Sequence, residues 1–209
     1  MSAEGSKPGQ QTRIQRRNRE AILDAALDVF SQNGFGGASL ELIANTAGLS
    51  KQNLIYYYGS KDGIHAALLT HVLEVWRAPL EALGPTDDPI GALVAYVLRK
   101  LQISRDLPRE SRLFANEIVQ GAPHLIDNLK GPLRDLVDEK AALIAGWAAD
   151  GRIAPLDPHH LVFSIWATTQ HYADFDVQVR GILAAEDDAH LDAAAVFLAD
   201  FYRRALTPN

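Results

Sequence analysis

Two short segments of this chain hold side chains able to do chemistry. Between Ile165 and Phe175 the run Trp166-Ala167-Thr168-Thr169-Gln170-His171-Tyr172-Ala173-Asp174 sets amide, imidazole and phenol groups among apolar residues. Buried polar groups need partners, so these bond either one another or a ligand. Gln170 falls one helical turn from Trp166, on the same face. An indole stacks on a flat ring. A carboxamide offers one acceptor and two donors, which matches a ring carrying adjacent C=O and N–H groups. Trp76, far upstream, is a candidate second wall; on these residues alone both indoles serve equally well as plain core. The second segment is Ser50, Lys51, Gln52, Asn53, Tyr56 and Tyr57. These are donors, acceptors and flat rings suited to base edges and phosphates.

The elements that must position these groups read as helices. Ile22, Ala25, Ala26, Val29 and Phe30 recur at one-face helical spacing from about Arg17, and Gly34 ends that helix. Ser39 caps a short second helix through Asn45, and Ser50 caps a third over Lys51–Tyr58. Gly59-Ser60 breaks the chain before a fourth helix, about Lys61 to Leu83, bent near its end by Pro79. Further helices are expected from Asp87 or Asp88 to Asp106, from Pro108 to Gln120, and from Pro123 to Asp150 with a break at Gly131-Pro132. Two more run from Pro158 to Gly181 and from Glu186 to Leu206. No segment alternates like a strand between turn signals, so the fold class is all-α. The expected domains are a disordered basic arm (1–15), a helix-turn-helix domain (16–60), and an effector-binding and dimerisation domain (61–209).

Within 39–58 three positions specify the helix-turn-helix. Ala44 is small where two helices cross. Gly48, four residues on, suits a turn with positive φ. Leu54, six further, packs the recognition helix inward with Ile43, Ala47 and Leu49. The exposed N-terminus of that helix adds backbone N–H groups for a phosphate. The alternative is a plain helical bundle whose tyrosines cover its core.

Charge agrees with a nucleic-acid-binding head. The 209 residues carry a formal net charge of −6. Residues 1–62 hold seven Lys/Arg against six Asp/Glu, and the rest hold thirteen against twenty. The acidic excess therefore belongs to the C-terminal part. With no cysteine, disulfides, thiolate zinc sites and a cysteine nucleophile are excluded. No apolar run spans a bilayer, the basic leader is not a secretory signal, and a cytoplasmic setting is expected.

The segment Gly48 to Asp62 (GLSKQNLIYYYGSKD), with Ala25-Ala26-Leu27 and Phe30 to Phe35, resembles the signature of the TetR family of transcriptional repressors. The resemblance implies a dimer on palindromic double-stranded operator DNA. It assigns Ser50, Lys51, Asn53, Tyr56 and Tyr57 to DNA contact and Lys61 to a phosphate; Ser39 and Gln52 complete the expected DNA-binding set. Ile55 stands where many members have Tyr, and Gly59 where Pro is frequent. Trp76-Arg77-Ala78-Pro79-Leu80, Ser111-Arg112-Leu113-Phe114, Ala154 to Pro158 and Ile165 to Phe175 are similar to the family's pyrimidine-responsive regulators. That implies a uracil or thymine pocket walled by Trp76 and Trp166, with Gln170 reading the ring edge and Phe114, Asn116, Glu117 and His171 nearby. It further implies release from the operator on binding, and control of pyrimidine degradation and related nitrogen metabolism. A repressor answering to another small ligand is the alternative.

Homodimerisation is expected through the last two helices. Leu161, Ile165, Thr168, Tyr172, Phe175 and Val179 trace one stripe of the first; Phe163, Trp166, Gln170, Ala173 and Val177 trace another. The final helix offers Leu191, Ala194, Ala195, Leu198, Phe201 and Tyr202. The alternative is that both helices are core of a monomer. Catalysis is not expected, nor a metal or cofactor. His159 and His160 sit in a solvent-facing first turn, His171 and Asp174 make at most a weak pair, and no Glu-x-x-His pair, phosphate loop or nucleophile elbow occurs.

Overall fold

The computed structural model describes residues 13–208, and every regular element among them is a helix. They are α1 (Arg13–Gly37), α2 (Leu40–Ala47), α3 (Lys51–Tyr58), α4 (Lys61–Glu81), α5 (Pro89–Asp106), α6 (Pro108–Val119), α7 (Ile126–Lys130), α8 (Pro132–Ala149), α9 (Pro158–Asp174), α10 (Asp176–Leu183) and α11 (Ala189–Leu206). The chain divides into two compact units, Met1–Leu68 and Leu69–Asn209.

In the first unit, α1 is broken at Gly34, whose φ of 65° and ψ of 175° interrupt the helical path. Ile22, Ala26, Phe30, Ile43 and Leu54 are fully buried. Ser39 Oγ accepts the Leu42 N–H at 3.1 Å and Ser50 Oγ the Asn53 N–H at 3.3 Å. Each such cap is worth about 1 kcal/mol. Gly48 has φ 65° and ψ 28°, and its N–H bonds the carbonyls of Ala44 and Asn45. Ala44 and Leu54 are buried as their spacing requires. The expected arm over 1–15 lies outside the described residues up to position 12; Arg13, Ile14 and Gln15 form the first turn of α1 instead.

The unit extends past residue 60 because the first turns of α4 join its core. Ile64 is fully buried, and the His65 ring lies 4.7 Å from that of Phe30 and 4.9 Å from that of Phe35. Gly63 is required here by contact: a Cβ at this position would sit 2.1 Å from the Tyr58 carbonyl oxygen. That oxygen also accepts the Ser60 N–H, at 2.9 Å, in the tight α3–α4 turn. Gly63→Ala is therefore expected to destabilise this unit by about 1–3 kcal/mol. Thermal unfolding should show it, and an unchanged transition would disprove the steric argument.

In the second unit, α5 runs through the middle, packed against both α9 and α11. Leu93, Val97, Ile144, Ile165, Leu198 and Leu206 lie at the centre of its core, and Trp147 is core as well. Asp88 caps α5 through the Gly91 N–H at 2.9 Å, and Asp157 caps α9 through the His160 N–H at 3.1 Å. Two expectations change here. The helix expected over 158–181 is two helices, broken at Phe175 (φ −116°, ψ 29°). There the Phe175 N–H closes α9 on the His171 carbonyl, and the Asp176–Arg180 ion pair supports the first turn of α10. On α11, Leu191, Ala194, Leu198 and Tyr202 pack into the unit's own core and so cannot form a dimer face. Its outward stripe is Val196, Phe197 and Phe201.

Candidate functional site

The recognition segment is presented by α3. Lys51, Gln52, Ile55 and Tyr56 are exposed, Tyr56 to 72 %. Tyr57 is turned back toward α1: its hydroxyl accepts from Asn18 Nδ2 at 3.3 Å, and the Arg19 guanidinium lies 5.5 Å from its ring centroid. Ser39 and Ser50 are exposed caps, and Asn53 is half-buried. Lys51 pairs with Glu41 of α2, and this hydrogen bond holds the Glu41 carboxyl below the usual carboxylate range. Lys61 turns inward. Its ammonium donates to the carbonyls of Phe35 (2.8 Å) and Ala38 (3.0 Å) and lies 4.1 Å from the Phe35 ring centroid. Two of its three donors thus hold the α1–α2 turn. Glu41, Asn18 and Arg19, which position the recognition helix, were not singled out from sequence, because their partners lie on other helices.

The second unit holds a small, partly open cavity of about 40 Å³. Trp76, Phe114 and Trp166 wall it together with Leu73, Leu80 and Leu133, and Gln170, Arg77 and Lys100 are its polar lining. Trp76 is 7 % exposed, and its Nε1 has no hydrogen-bond partner among the described residues. Trp166 Nε1 instead donates to the Tyr96 hydroxyl at 2.7 Å. Burial pushes that phenol up to about 12, against the lowering effect of the Trp166 bond. Lys100, 2 % exposed, sets its ammonium 5.2 Å from the Trp76 ring centroid. Burial pushes it down to about 7, against the opposing charge of Asp174.

The structure thus brings Trp76, Phe114, Trp166 and Gln170 together but not the other three expected ligand residues. His171 is exposed and stacks on Phe175 at 4.9 Å; one residue past Gln170, it is rotated by about 100° around the helix. Asn116 is exposed. Glu117 is buried, but its carboxylate accepts the His124 N–H at 2.6 Å rather than facing the cavity. Asp174 accepts from the Ser111 hydroxyl, and His159 pairs with Asp138 at 2.9 Å. Sequence reasoning missed Lys100. Its signal is a lysine between Val97 and Leu101 on an apolar helical stripe, where a solvated cation does not belong.

The helix-turn-helix unit matches the family model for bacterial regulatory proteins of the tetR family over residues 22–68, and residues 69–209 match the C-terminal region of YcdC-like proteins. The chain belongs to the TetR family and is a helix-turn-helix transcriptional regulator. It is 51 % identical over 177 residues to the HTH-type transcriptional regulator RutR of Escherichia coli K12, covering 85 % of this chain and 84 % of that protein. Two solved structures share the fold. A TetR-like transcriptional regulator from Rhodococcus sp. RHA1 is 24 % identical, with a TM-score of 0.66 over 94 % of this chain and 97 % of that one. AibR, in complex with isovaleryl coenzyme A and operator DNA, is 16 % identical, with a TM-score of 0.67 over 88 % of this chain and 97 % of that one.

Proposed function

We propose that this regulator represses genes of pyrimidine degradation and related nitrogen metabolism, and that uracil or thymine in the cavity of the second unit releases it from DNA. The observation that carries the reading is that cavity: two indoles, Trp76 and Trp166, with the carboxamide of Gln170 in the same wall. A flat ring stacks on an indole, and an amide matches adjacent C=O and N–H groups. The similarity to pyrimidine-responsive regulators supplies the class of ring.

In this reading the protein acts in the cytoplasm as a homodimer on a palindromic operator, with half-sites ~34–36 Å or a multiple of it apart. Ser39, Ser50, Lys51, Gln52, Asn53, Tyr56 and Tyr57 contact the DNA, and Lys61 spends its remaining N–H on a phosphate. Effector binding favours a DNA-incompetent state of the dimer and so shifts its population. No helix of the described residues is long and apolar enough to cross a membrane.

The test is calorimetric titration with uracil and thymine, with uridine as an oversized control. Binding of a free base, weakened about tenfold or more by Gln170→Ala, is expected, since one lost hydrogen bond to a buried polar group costs about 1–3 kcal/mol. Absence of binding by either base disproves the pyrimidine reading and leaves the family assignment intact.

A further inference from the structure

The polar groups in the cavity wall are unbalanced, and the imbalance describes the ligand. The Lys100 ammonium carries three donors yet has no hydrogen-bond acceptor among the described residues; it lies 5.2 Å from the centroid of the Trp76 ring, with Asp174 as its counter-charge. Trp76 Nε1 and Arg77 Nε are buried donors without a hydrogen-bond partner among the described residues. The Trp166 N–H is already used by Tyr96. Gln170 adds two donors and one acceptor. Arg77 also lines the wall, with its other end tied to Glu81 at 2.9 Å. Buried donors without acceptors are costly, so a ligand that fits this cavity must supply acceptors.

We infer that Lys100 is a ligand-binding residue, whose ammonium donates to a carbonyl oxygen of a flat cyclic imide lying against Trp76. The C=O, N–H, C=O edge of such a ring presents two acceptors flanking one donor. Lys100 takes one acceptor, and the Gln170 carboxamide pairs with the N–H and the other C=O. The inference rests on the pyrimidine reading for the choice of cavity, but it names a wider class of ring.

A pH dependence follows. On α9, Asp174 is the counter-charge acting on Lys100. Burial raises that carboxyl above its usual range, while the Ser111 hydroxyl and Arg112 of α6 and His171 of α9 oppose the rise. On α4, Arg77 is the other charge in the same wall. With its pKa lowered to about 7, Lys100 is partly neutral near pH 7. A carbonyl acceptor favours the charged form, so binding above that pH takes up a proton.

The experiment is calorimetric titration of wild type and Lys100→Met with uracil, thymine and succinimide between pH 6 and pH 8.5. Each is run in two buffers of different ionisation enthalpy, so that proton uptake is measured directly. Wild type is expected to take up a fraction of a proton at pH 8 and little at pH 6, with its Kd rising about tenfold across the range. Lys100→Met is expected to bind at least about tenfold more weakly, with no pH-dependent uptake. Equal affinity and uptake in the variant would overturn the role of Lys100 and leave the pyrimidine reading standing. Lys100-dependent binding of succinimide alone, a cyclic imide that is not a pyrimidine, would sink the pyrimidine reading and keep Lys100. No binding of any of the three rings overturns both.

Discussion

Lys100→Met is expected to raise the thermal midpoint of the protein, and to raise it more at pH 6 than at pH 9. An unfolded lysine holds its proton to about pH 10.4, whereas burial lowers folded Lys100 to about 7. Between these values the unfolded state binds more protons, so wild-type stability rises with pH. Below about pH 7 both states are protonated, and the full cost of burying the ammonium is present. Methionine has a similar length and no charge, so it removes that cost. The gain at pH 6 is on the order of 3 kcal/mol, or roughly 6–12 °C for a protein of this size, and it shrinks towards pH 10. Asp174 retains its hydrogen bond from Ser111 in the variant. A midpoint shift that does not vary with pH would show that Lys100 is not a buried cation. A stabilised variant that has lost ligand affinity would also separate binding from folding.

The second large effect is expected at the outward face of α11. Val196 and Phe197 are more than half exposed and Phe201 is half exposed, and the Phe197 and Phe201 rings stack at 5.9 Å. A group of large exposed apolar side chains is unusual on a monomer and marks an interaction surface. In the proposed dimer this face meets its copy in the partner. The pair Phe197→Glu and Phe201→Glu buries like charges in that interface without touching the unit's own core. The variant is expected to sediment as a monomer with its helical content intact. Its operator affinity should fall by about 10²-fold or more, because the second half-site is no longer linked to the first. A variant that remains dimeric would exclude this face as the interface.

The helix-turn-helix was legible in the sequence because its determinants are local. Ala44, Gly48 and Leu54 lie within one turn-and-helix unit, and Gly48 takes the left-handed conformation its position demands. The caps at Ser39, Ser50, Asp88 and Asp157 were legible for the same reason, since each hydroxyl or carboxylate bonds an N–H three residues on. The two indoles and Gln170 were also within reach, because Trp166 and Gln170 share a helical face. His171, Asn116 and Glu117 were misplaced because polarity says that a group needs a partner but not where the partner stands.

What the sequence alone determined about this protein is therefore its all-α class and most of its helices, the helix-turn-helix head and the kind of side chain available to a ligand. Their signals act over three or four residues, through backbone hydrogen bonds and helical periodicity. Only the tertiary structure decided which stripe of each helix faces inward. It placed Lys100 in the cavity, turned His171 out of it, put Leu198 and Tyr202 into the core, and left Phe197 and Phe201 outside. Those choices depend on pairings such as Trp166 with Tyr96 and Ser111 with Asp174, 70 and 63 residues apart. A helix with apolar residues around most of its circumference carries no local mark of its buried side; close packing of the whole unit selects it.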